Sequence, residues 1–173
     1  AGTLDAAIVE LDTNGGVVSL NGIGASAQQT VVTQIDIDSS GDTYYAGTLG
    51  GTISSGGWTA TATYGGNDVF VARSAVSTSN SWAFVSGSST EDEPWALAVT
   101  SNGLVTYGGY FSTAFTAGST TLSPSNHDGY VIGLSSTGSL DWTERVGGSQ
   151  YVYVWSMSVN MSDYIGIGGS YSG

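Results

Sequence analysis

An internal repeat constrains this chain more than any other feature of its sequence. The first landmark is an aspartate that opens an apolar stretch and recurs at intervals of 63 and 60 residues, as Asp5, Asp68 and Asp128. The second is a glycine that follows each aspartate by 41 or 42 residues, as Gly47, Gly109 and Gly169. Two landmarks with matching offsets predict three copies of one unit, approximately residues 5–67, 68–127 and 128–173, within a single domain 1–173.

Each copy contains four stretches rich in Val, Ile, Tyr and Trp, separated by segments of Gly, Ser, Asn and Asp. β-Branched and aromatic residues favour strands, and the separating residues favour tight turns. No window shows the 3.6-residue apolar period of a helix. The first stretch of each copy, for example "VFVA", is apolar on both alternating faces, which is typical of a strand covered on both sides. The pattern predicts an all-β chain of small sheets packed between neighbouring sheets.

These copies resemble the SBBP repeat of β-propeller proteins. That family combines an Asp-x-Phe-Val strand, an Asp/Ser-x-x-Gly turn, a strand with Trp, a Gly-Gly-Ser segment and a Tyr-x-x-Gly strand, and the similar segments here are "DVFVARS", "ELDTNGG", "LDWTERVGGS" and "IDIDSSGDTYYAG". The resemblance implies β-propeller-like four-stranded blades in extracellular or envelope-associated bacterial proteins, and no single reaction. Copy one departs from it with Val18 in place of Trp82 and Trp142, and copy three with Asp163 in place of a turn glycine.

Three copies are too few for a closed propeller, which has 4–8 blades. The segments between Gly47 and Asp68 and between Gly109 and Asp128 hold 20 and 18 residues, whereas four residues precede Asp5. A chain that closed on itself would lack roughly one strand and its turn at the seam. We therefore expect either part of a larger propeller or sheets completed by another copy of the chain. The alternative is a closed three-fold β-prism or β-trefoil.

The charge balance excludes some partners. The formal net charge is −12, with two arginines and no lysine. Because phosphate binding requires cations that displace counterions, we expect no nucleic-acid partner. No apolar run approaches the ~20 residues of a membrane span, and the absence of cysteine excludes disulfides. An acidic chain rich in Ser and Thr favours an extracellular or cell-surface location.

Candidate catalytic groups are few. His127, the one histidine, aligns with Asn67 of the preceding copy, which indicates a polar loop residue and not the base of a triad. Glu91, Asp92 and Glu93 could bind Ca²⁺ or act as an acid/base pair, but the other copies have no acids there. A solvated acidic loop is the simpler interpretation. We therefore predict no catalytic residue and no enzyme activity.

The remaining aspartates indicate turns. Asp36, Asp38 and Asp42 lie in a segment that only partly matches a calcium loop, and copy two replaces the first two with Ala98 and Thr100. Turn formation accounts for them, so we predict no metal site and no cofactor. The three repeated aspartates are expected to be architectural, because an aspartate at a strand entrance can accept backbone N–H bonds from the preceding turn.

The aromatic residues could stack against sugars or build cores and interfaces, and we favour the second interpretation. They are Trp58, Trp82, Trp95, Trp142, Trp155, Tyr44, Tyr45, Tyr107, Tyr110, Tyr151, Tyr153 and Tyr171. Asn160 begins an Asn-Met-Ser N-glycosylation sequon in a predicted turn. The sequence thus predicts a non-catalytic extracellular structural glycoprotein, with Asn160 as its candidate glycosylation site, that self-assembles into a filament or surface layer. The alternative is a lectin-like carbohydrate-binding module with glycan partners.

Overall fold

The computed structural model describes residues 5–24, 29–76, 80–90 and 92–172. Within these ranges copy one forms β1 (Ala6–Leu11), β2 (Val17–Ile23), β3 (Thr30–Ile37), β4 (Thr43–Leu49), β5 (Thr52–Ser55) and β6 (Trp58–Thr61). Copy two forms β7 (Asp68–Ser74), β8 (Trp82–Gly87), β9 (Glu93–Val99), β10 (Val105–Phe111), β11 (Phe115–Ala117) and β12 (Thr120–Leu122). Copy three forms β13 (Asp128–Leu134), β14 (Leu140–Val146), β15 (Val152–Val159) and β16 (Ile165–Tyr171).

The prediction of an all-β chain is confirmed. Every regular element in the described ranges is a strand, and the sheets are antiparallel and form no closed barrel. None of the described residues belongs to a helix long and apolar enough to cross a membrane.

The strands form two central sheets and two hairpins at the flanks. Central sheet 1 has the order β3-β4-β7-β8 and is extended by β11 and β12, and central sheet 2 has the order β9-β10-β13-β14. The N-flank hairpin is β1-β2 and the C-flank hairpin is β15-β16, each a two-stranded sheet. Each central sheet thus combines the third and fourth strands of one copy with the first and second strands of the next.

The turn that joins the third and fourth strands has the same geometry in all three copies. In each, the N–H of its fourth residue donates to the carbonyl of its first residue over 3.0 Å. That fourth residue has a positive φ, which is 85° at Gly41, 79° at Gly103 and 61° at Asp163. Aspartate enters the left-handed region more readily than most residues, so copy three retains the turn without its glycine.

The core lies between the sheets. Strands β7 and β13 are buried along most of their length on both faces, as their apolar runs predict. Strand β1 has the same apolar pattern, but most of its residues are exposed or half-buried. The prediction of two covered faces is therefore confirmed for two copies, and the described residues leave the first copy's strand open.

Two short hairpins, β5-β6 and β11-β12, lie in the long connectors, to which the sequence analysis assigned no strands. Their turns contain glycines with positive φ, namely Gly56, Gly57 and Gly118. A glycine pair between alternating residues is a hairpin signal, so "SSGGW" could have indicated the first of them. Strand β11 pairs with β8, while β12 contacts β14, so this hairpin links the outer strands of the two central sheets.

The repeated aspartates have the architectural role that the sequence predicts. The Asp68 Oδ2 accepts the backbone N–H groups of Thr63 and Tyr64, and the Asp128 Oδ2 accepts that of Ser125 at 2.7 Å. Both carboxylates are fully buried. The residues immediately before Asp5 lie outside the described ranges, so the same role for that aspartate stays a prediction.

A glycine lies against each of these carboxylates, 19 residues further along the chain, at Gly24, Gly87 and Gly147. A Cβ at Gly87 would lie 2.6 Å from the Asp68 Oδ1, and one at Gly147 would lie 2.3 Å from the Asp128 Oδ1. The constant spacing was visible in the sequence, and only the structure shows that it reflects the close approach of the glycine backbone to the aspartate side chain.

Candidate assembly interface

The two flank hairpins correspond to halves of a central sheet. In the central sheets, the fourth strand of one copy pairs with the first strand of the next, as β4 with β7 and β10 with β13. The corresponding fourth strand of copy three is β16, and the corresponding first strand of copy one is β1. Among the described residues, β16 pairs only with β15 and β1 pairs only with β2. In the described part of the chain, each flank therefore presents a strand, β1 or β16, that is unpaired along the edge at which its interior equivalents are paired.

The register of the two interior pairings is the same. The landmark glycine of the fourth strand lies opposite the second residue after the repeated aspartate: Gly47 faces Phe70, and Gly109 faces Tyr130. The aspartate itself faces Leu49 in one pairing and Phe111 in the other. One rule therefore aligns consecutive copies wherever they meet within the chain.

Apolar residues on the N-flank hairpin are exposed where their equivalents in other copies are buried. Leu11 is 60% exposed, whereas Leu134, at the same position of copy three, is 1% exposed. Val9 is likewise exposed and its equivalent Ile132 is fully buried. The sequence pattern predicts the same burial for both copies, so the difference arises from what lies beside the strands.

Strand β3 shows the same contrast. Ile37 is 57% exposed, whereas its equivalent in copy two, Val99, is 7% exposed. Ile35 is exposed and its equivalent Leu97 is buried. In copy two both residues belong to the core cluster that central sheets 1 and 2 share. Beside the face of β3 that carries Ile35 and Ile37, the described residues supply only the N-flank hairpin, which is half of the sheet that would correspond to central sheet 1.

Two grooves lie beside these exposed residues. One is bounded by β14 and β16 and is lined by Val131, Trp142, Glu144, Arg145, Val146, Gly147, Ile165 and Ile167. The other is bounded by β1 and β3 and is lined by Val9, Glu10, Leu11, Ile35, Asp36, Ile37 and Thr43. Each groove has an open sheet edge as one wall, so each could receive a strand.

The junction between copies two and three shows how the tryptophan on the second strand of a copy is covered by the next copy. The Trp82 indole N–H donates to the Ser136 carbonyl at 3.0 Å, and Arg73 donates to the same oxygen at 3.2 Å. Gly138 lies so close to the Trp82 ring that a Cβ there would be 2.5 Å from it. The turn between β13 and β14 therefore covers Trp82. The equivalent Trp142 lies against Gly133 on one side and is exposed on the other.

An aromatic cluster lies between central sheet 2 and the C-flank hairpin. The rings of Trp95 and Trp155 stack at 4.3 Å with an interplanar angle of 3°, and Trp95 also stacks on Tyr110 at 4.5 Å. Tyr153 contacts all three of these rings. The cluster mixes half-buried and exposed rings, so it is neither a closed core nor a free platform.

His127 lies in a loop, as predicted, and its ring also belongs to this cluster. Its ring is half-buried between Tyr110, at 6.1 Å, and Tyr151, at 4.8 Å between ring centroids. No carboxylate or serine among the described residues contacts its ring nitrogens, and Nδ1 lies 3.4 Å from the Asn126 Oδ1. The arrangement is one of packing and shows no triad.

The stacked tryptophans occupy the same position of their copies as Thr33. Each of the three residues is the extra residue of a bulge in a third strand, between positions 32 and 34, 94 and 96, or 154 and 156. The Thr33 Oγ1 donates to the Pro94 carbonyl at 2.7 Å, and Trp95 stacks on Trp155. The column of bulged residues therefore connects successive copies, and Trp155 is its exposed last member.

Four of the twelve aromatic residues belong to the core, as the sequence predicts for rings that build cores. Tyr44, Tyr45, Trp58 and Tyr107 are buried. The Trp58 indole N–H donates to the Tyr45 hydroxyl at 3.1 Å, within the core cluster behind β4 and β7. Tyr171 is exposed at the end of β16.

The acidic loop contains a buried carboxylate, so the prediction of a solvated loop is wrong for Asp92. Its two oxygens accept the backbone N–H and the hydroxyl of Ser88, the latter at 2.9 Å. Burial raises the pKa of Asp92 to about 6, against the lowering effect of these hydrogen bonds. Glu93 is exposed and accepts the Trp95 indole N–H at 3.0 Å. Glu91 lies outside the described residues.

This buried carboxyl predicts a pH dependence of stability. Because the folded pKa lies above the ordinary value of 3.8, the folded chain binds this proton more tightly than the unfolded chain. The contribution of Asp92 to the free energy of unfolding is therefore complete below pH 3.8 and is lost as the pH rises to about 6. A shift of this size corresponds to about 3 kcal/mol. Asp92→Asn should remove this part of the decline in urea unfolding measured between these pH values.

Asp141→Asn is the matched control for this prediction, because Asp141 is exposed on β14. The control should keep the pH profile of the unmodified chain. Equal pH profiles for Asp92→Asn and the unmodified chain would contradict the assignment of this titration to Asp92.

The acids of the incomplete calcium motif have separate partners. Asp42 forms an ion pair with Arg73, whose hydrogen bond holds the pKa of Asp42 below its ordinary value. Asp38 accepts the N–H groups of Ser40 and Asp42 within its own turn, and Asp36 accepts the Val99 N–H at 3.0 Å. No group of three or more His, Asp or Glu side chains that could hold a metal occurs in the described part of the chain.

Asn160 lies in the exposed turn between β15 and β16. Its Oδ1 accepts the N–H groups of Ser162 and Tyr164, at 2.8 and 3.1 Å. The amide nitrogen, to which an N-linked sugar would be attached, takes part in neither bond. The turn thus presents the sequon to solvent, and glycosylation stays a prediction.

No protein-family model and no curated protein sequence matches the chain.

Proposed function

We propose that this chain is a non-catalytic structural module that assembles with copies of itself into a filament or surface layer. The observation that carries the proposal is the complementarity of the two flanks. One flank presents a hairpin equivalent to the first half of a central sheet, and the other presents a hairpin equivalent to the second half. Two copies placed end to end would supply each other with the missing half.

The exposed surfaces give a physical reason to associate. Unpaired strand edges and contiguous apolar residues favour association, and soluble proteins usually cover them or place charge beside them. The chain has no lysine and two arginines, and both arginines take part in ion pairs, with Asp42 and Asp128. Neither arginine lies on a strand of the two flank hairpins, and Arg145, which lines the groove between β14 and β16, is paired with Asp128.

The proposal includes a propeller-like arrangement of SBBP type and a location outside the cell. Sheets of four strands that pack face to face, with a repeat of about 60 residues, agree with such an arrangement. The acidic surface, rich in hydroxyl groups, would keep a fibre soluble and reduce lateral contacts between fibres. A sugar on Asn160 would add to that effect.

The lectin-like alternative rests on the aromatic cluster, whose members Tyr151 and Trp155 are exposed. The position of Trp155 in the column of bulged residues favours packing instead, because the equivalent Trp95 is stacked against the following copy. We therefore assign the cluster to contacts between copies and keep sugar binding as an outcome of the experiment.

Sedimentation velocity of the purified chain tests the proposal. At tens of micromolar we expect species larger than a dimer, growing with protein concentration. Added salt should favour them, because each copy has a formal net charge of −12 and salt screens the repulsion between copies. A stable monomer across this range would contradict self-assembly. If that monomer also bound sugars on a glycan array, the lectin-like function would be supported.

A further inference from the structure

We propose that β16 of one copy pairs antiparallel with β1 of a second copy. The two hairpins then form one four-stranded sheet, β15-β16-β1-β2, shared between two chains. This proposal rests on the proposed self-assembly and specifies its interface. It is a form of strand addition, in which backbone hydrogen bonds provide affinity and side-chain packing provides register.

The interior pairings give the register. In both of them the repeated aspartate faces the residue two positions after the landmark glycine. Applied to the flanks, this rule places Asp5 of the second copy opposite Tyr171, Ala7 opposite Gly169 and Val9 opposite Ile167. A slip by one residue would turn Val9 and Leu11 away from the core face, so burial selects this register.

The exposed apolar residues of β1 and β3 would be covered in this pairing. Ile132 and Leu134, the equivalents of Val9 and Leu11, are buried in the core cluster between the central sheets. In the shared sheet, Val9 and Leu11 would enter the groove between β14 and β16 of the preceding copy. In return, β15 and β16 would cover Ile35 and Ile37 of the following copy, as central sheet 1 covers Leu97 and Val99.

The turn of the N-flank hairpin is shaped for the exposed tryptophan. Gly15 has φ 83°, and Gly138 in the equivalent interior turn has φ 81°. The space where a Cβ of Gly138 would lie is occupied by the Trp82 ring, whereas nothing lies within 4 Å of that position at Gly15. In the shared sheet, Trp142 of the preceding copy would occupy this space. Its indole N–H could then donate to the Thr13 carbonyl, as Trp82 donates to Ser136.

The partner strand comes from a second chain and not from the same one. The N-flank hairpin packs through β1 on β3, on one side of central sheet 1, while β15 packs on β9 and β10 of central sheet 2. The two central sheets therefore lie between β1 and β16 of one molecule. Interior junctions already show how a following copy completes this sheet, so a second copy of this chain is the fitting occupant.

Engineered cysteines test the pairing, because the chain contains none of its own. Val9→Cys and Ile167→Cys would place two sulfurs on directly opposed residues, within the separation that a disulfide requires. Oxidation of the double variant should give a ladder of dimers, trimers and larger species on a non-reducing gel. The matched control is Glu10→Cys with Ile167→Cys, whose side chains point to opposite faces and should form at least tenfold less product.

Chains that carry only one of the two cysteines distinguish the pairing of β16 with β1 from a symmetric contact between two β16 strands. An equal mixture of Val9→Cys and Ile167→Cys chains should give only dimers, and neither chain alone should cross-link. Cross-linking of Ile167→Cys alone would show a symmetric β16 contact and overturn the proposal. An intramolecular disulfide in the double variant would overturn it as well.

Sedimentation and cross-linking together show whether a failure concerns this interface or self-assembly itself. Large species in sedimentation without the expected cross-links would retain self-assembly and contradict this interface. A ladder that stops at a dimer would support the strand pairing and contradict an open filament. Circular dichroism of the reduced variants should match that of the unmodified chain, and the mixture of single variants provides a second test if the double variant folds poorly.

Discussion

Replacement of Leu11 by aspartate is expected to weaken self-association at least about a hundredfold, which corresponds to about 2.7 kcal/mol. Leu11 is 60% exposed in the isolated chain, so the substitution should leave the fold of the monomer intact. In the shared sheet the side chain would be buried as Leu134 is. Full burial of a leucine contributes roughly 1.5–3 kcal/mol, and burial of an unpaired carboxylate adds a further cost. Sedimentation at tens of micromolar should show a monomer.

Leu104→Asp is the matched control for this variant. It makes the same change in the middle copy, where both neighbouring copies are present, at a position that aligns with Asp42 of copy one. Leu104 is partly exposed and follows the turn before β10. The control should assemble like the unmodified chain. If both variants assemble equally well, Leu11 does not lie in the interface.

Gly147→Ala should destabilise the fold by about 3 kcal/mol, the upper part of the range for overpacking a closely packed site. The added Cβ would lie 2.3 Å from the Asp128 Oδ1. That carboxylate cannot easily move, because its Oδ2 binds the Ser125 N–H and the Arg145 guanidinium, at 2.7 and 2.9 Å. For a chain of this size, the change corresponds to a fall in Tm of roughly 6–12 °C in a thermal scan.

Gly148→Ala, at the adjacent residue, provides the control, because no atom lies within 4 Å of a Cβ placed there. Its Tm should stay within about 2 °C of that of the unmodified chain. Gly87→Ala repeats the test in the middle copy, where the Cβ would lie 2.6 Å from the Asp68 Oδ1. A Tm for Gly147→Ala equal to that of Gly148→Ala would show that the aspartate pocket accommodates the methyl group.

Local features of the sequence were sufficient to predict the strands, the turns and the repeat. Strand propensity and turn formation depend on neighbouring residues, so "VFVARS" and "DSSGD" could be interpreted from their own residues. The same holds for the role of Asp68, because its hydrogen bonds go to residues only four and five positions away. The position of Asn160 in an exposed turn also follows from its neighbours.

The burial of Asp92 and the packing of His127 required the tertiary structure. Asp92 lies in a polar segment, and its backbone N–H donates to the carbonyl of Asn67 in copy one at 3.1 Å. The ring of His127 contacts that of Tyr151, which immediately precedes β15. A polar loop sequence gives no information about which distant surface will cover it.

The grouping of strands into sheets was also decided by tertiary contacts. The repeat period defines the length of a copy but not where one sheet ends and the next begins, because any starting point gives the same period. The structure places the boundary in the middle of each copy, with β3 and β4 beside β7 and β8. That choice leaves β1-β2 and β15-β16 as unmatched halves, and it follows from long-range backbone pairing, which the local sequence pattern does not encode.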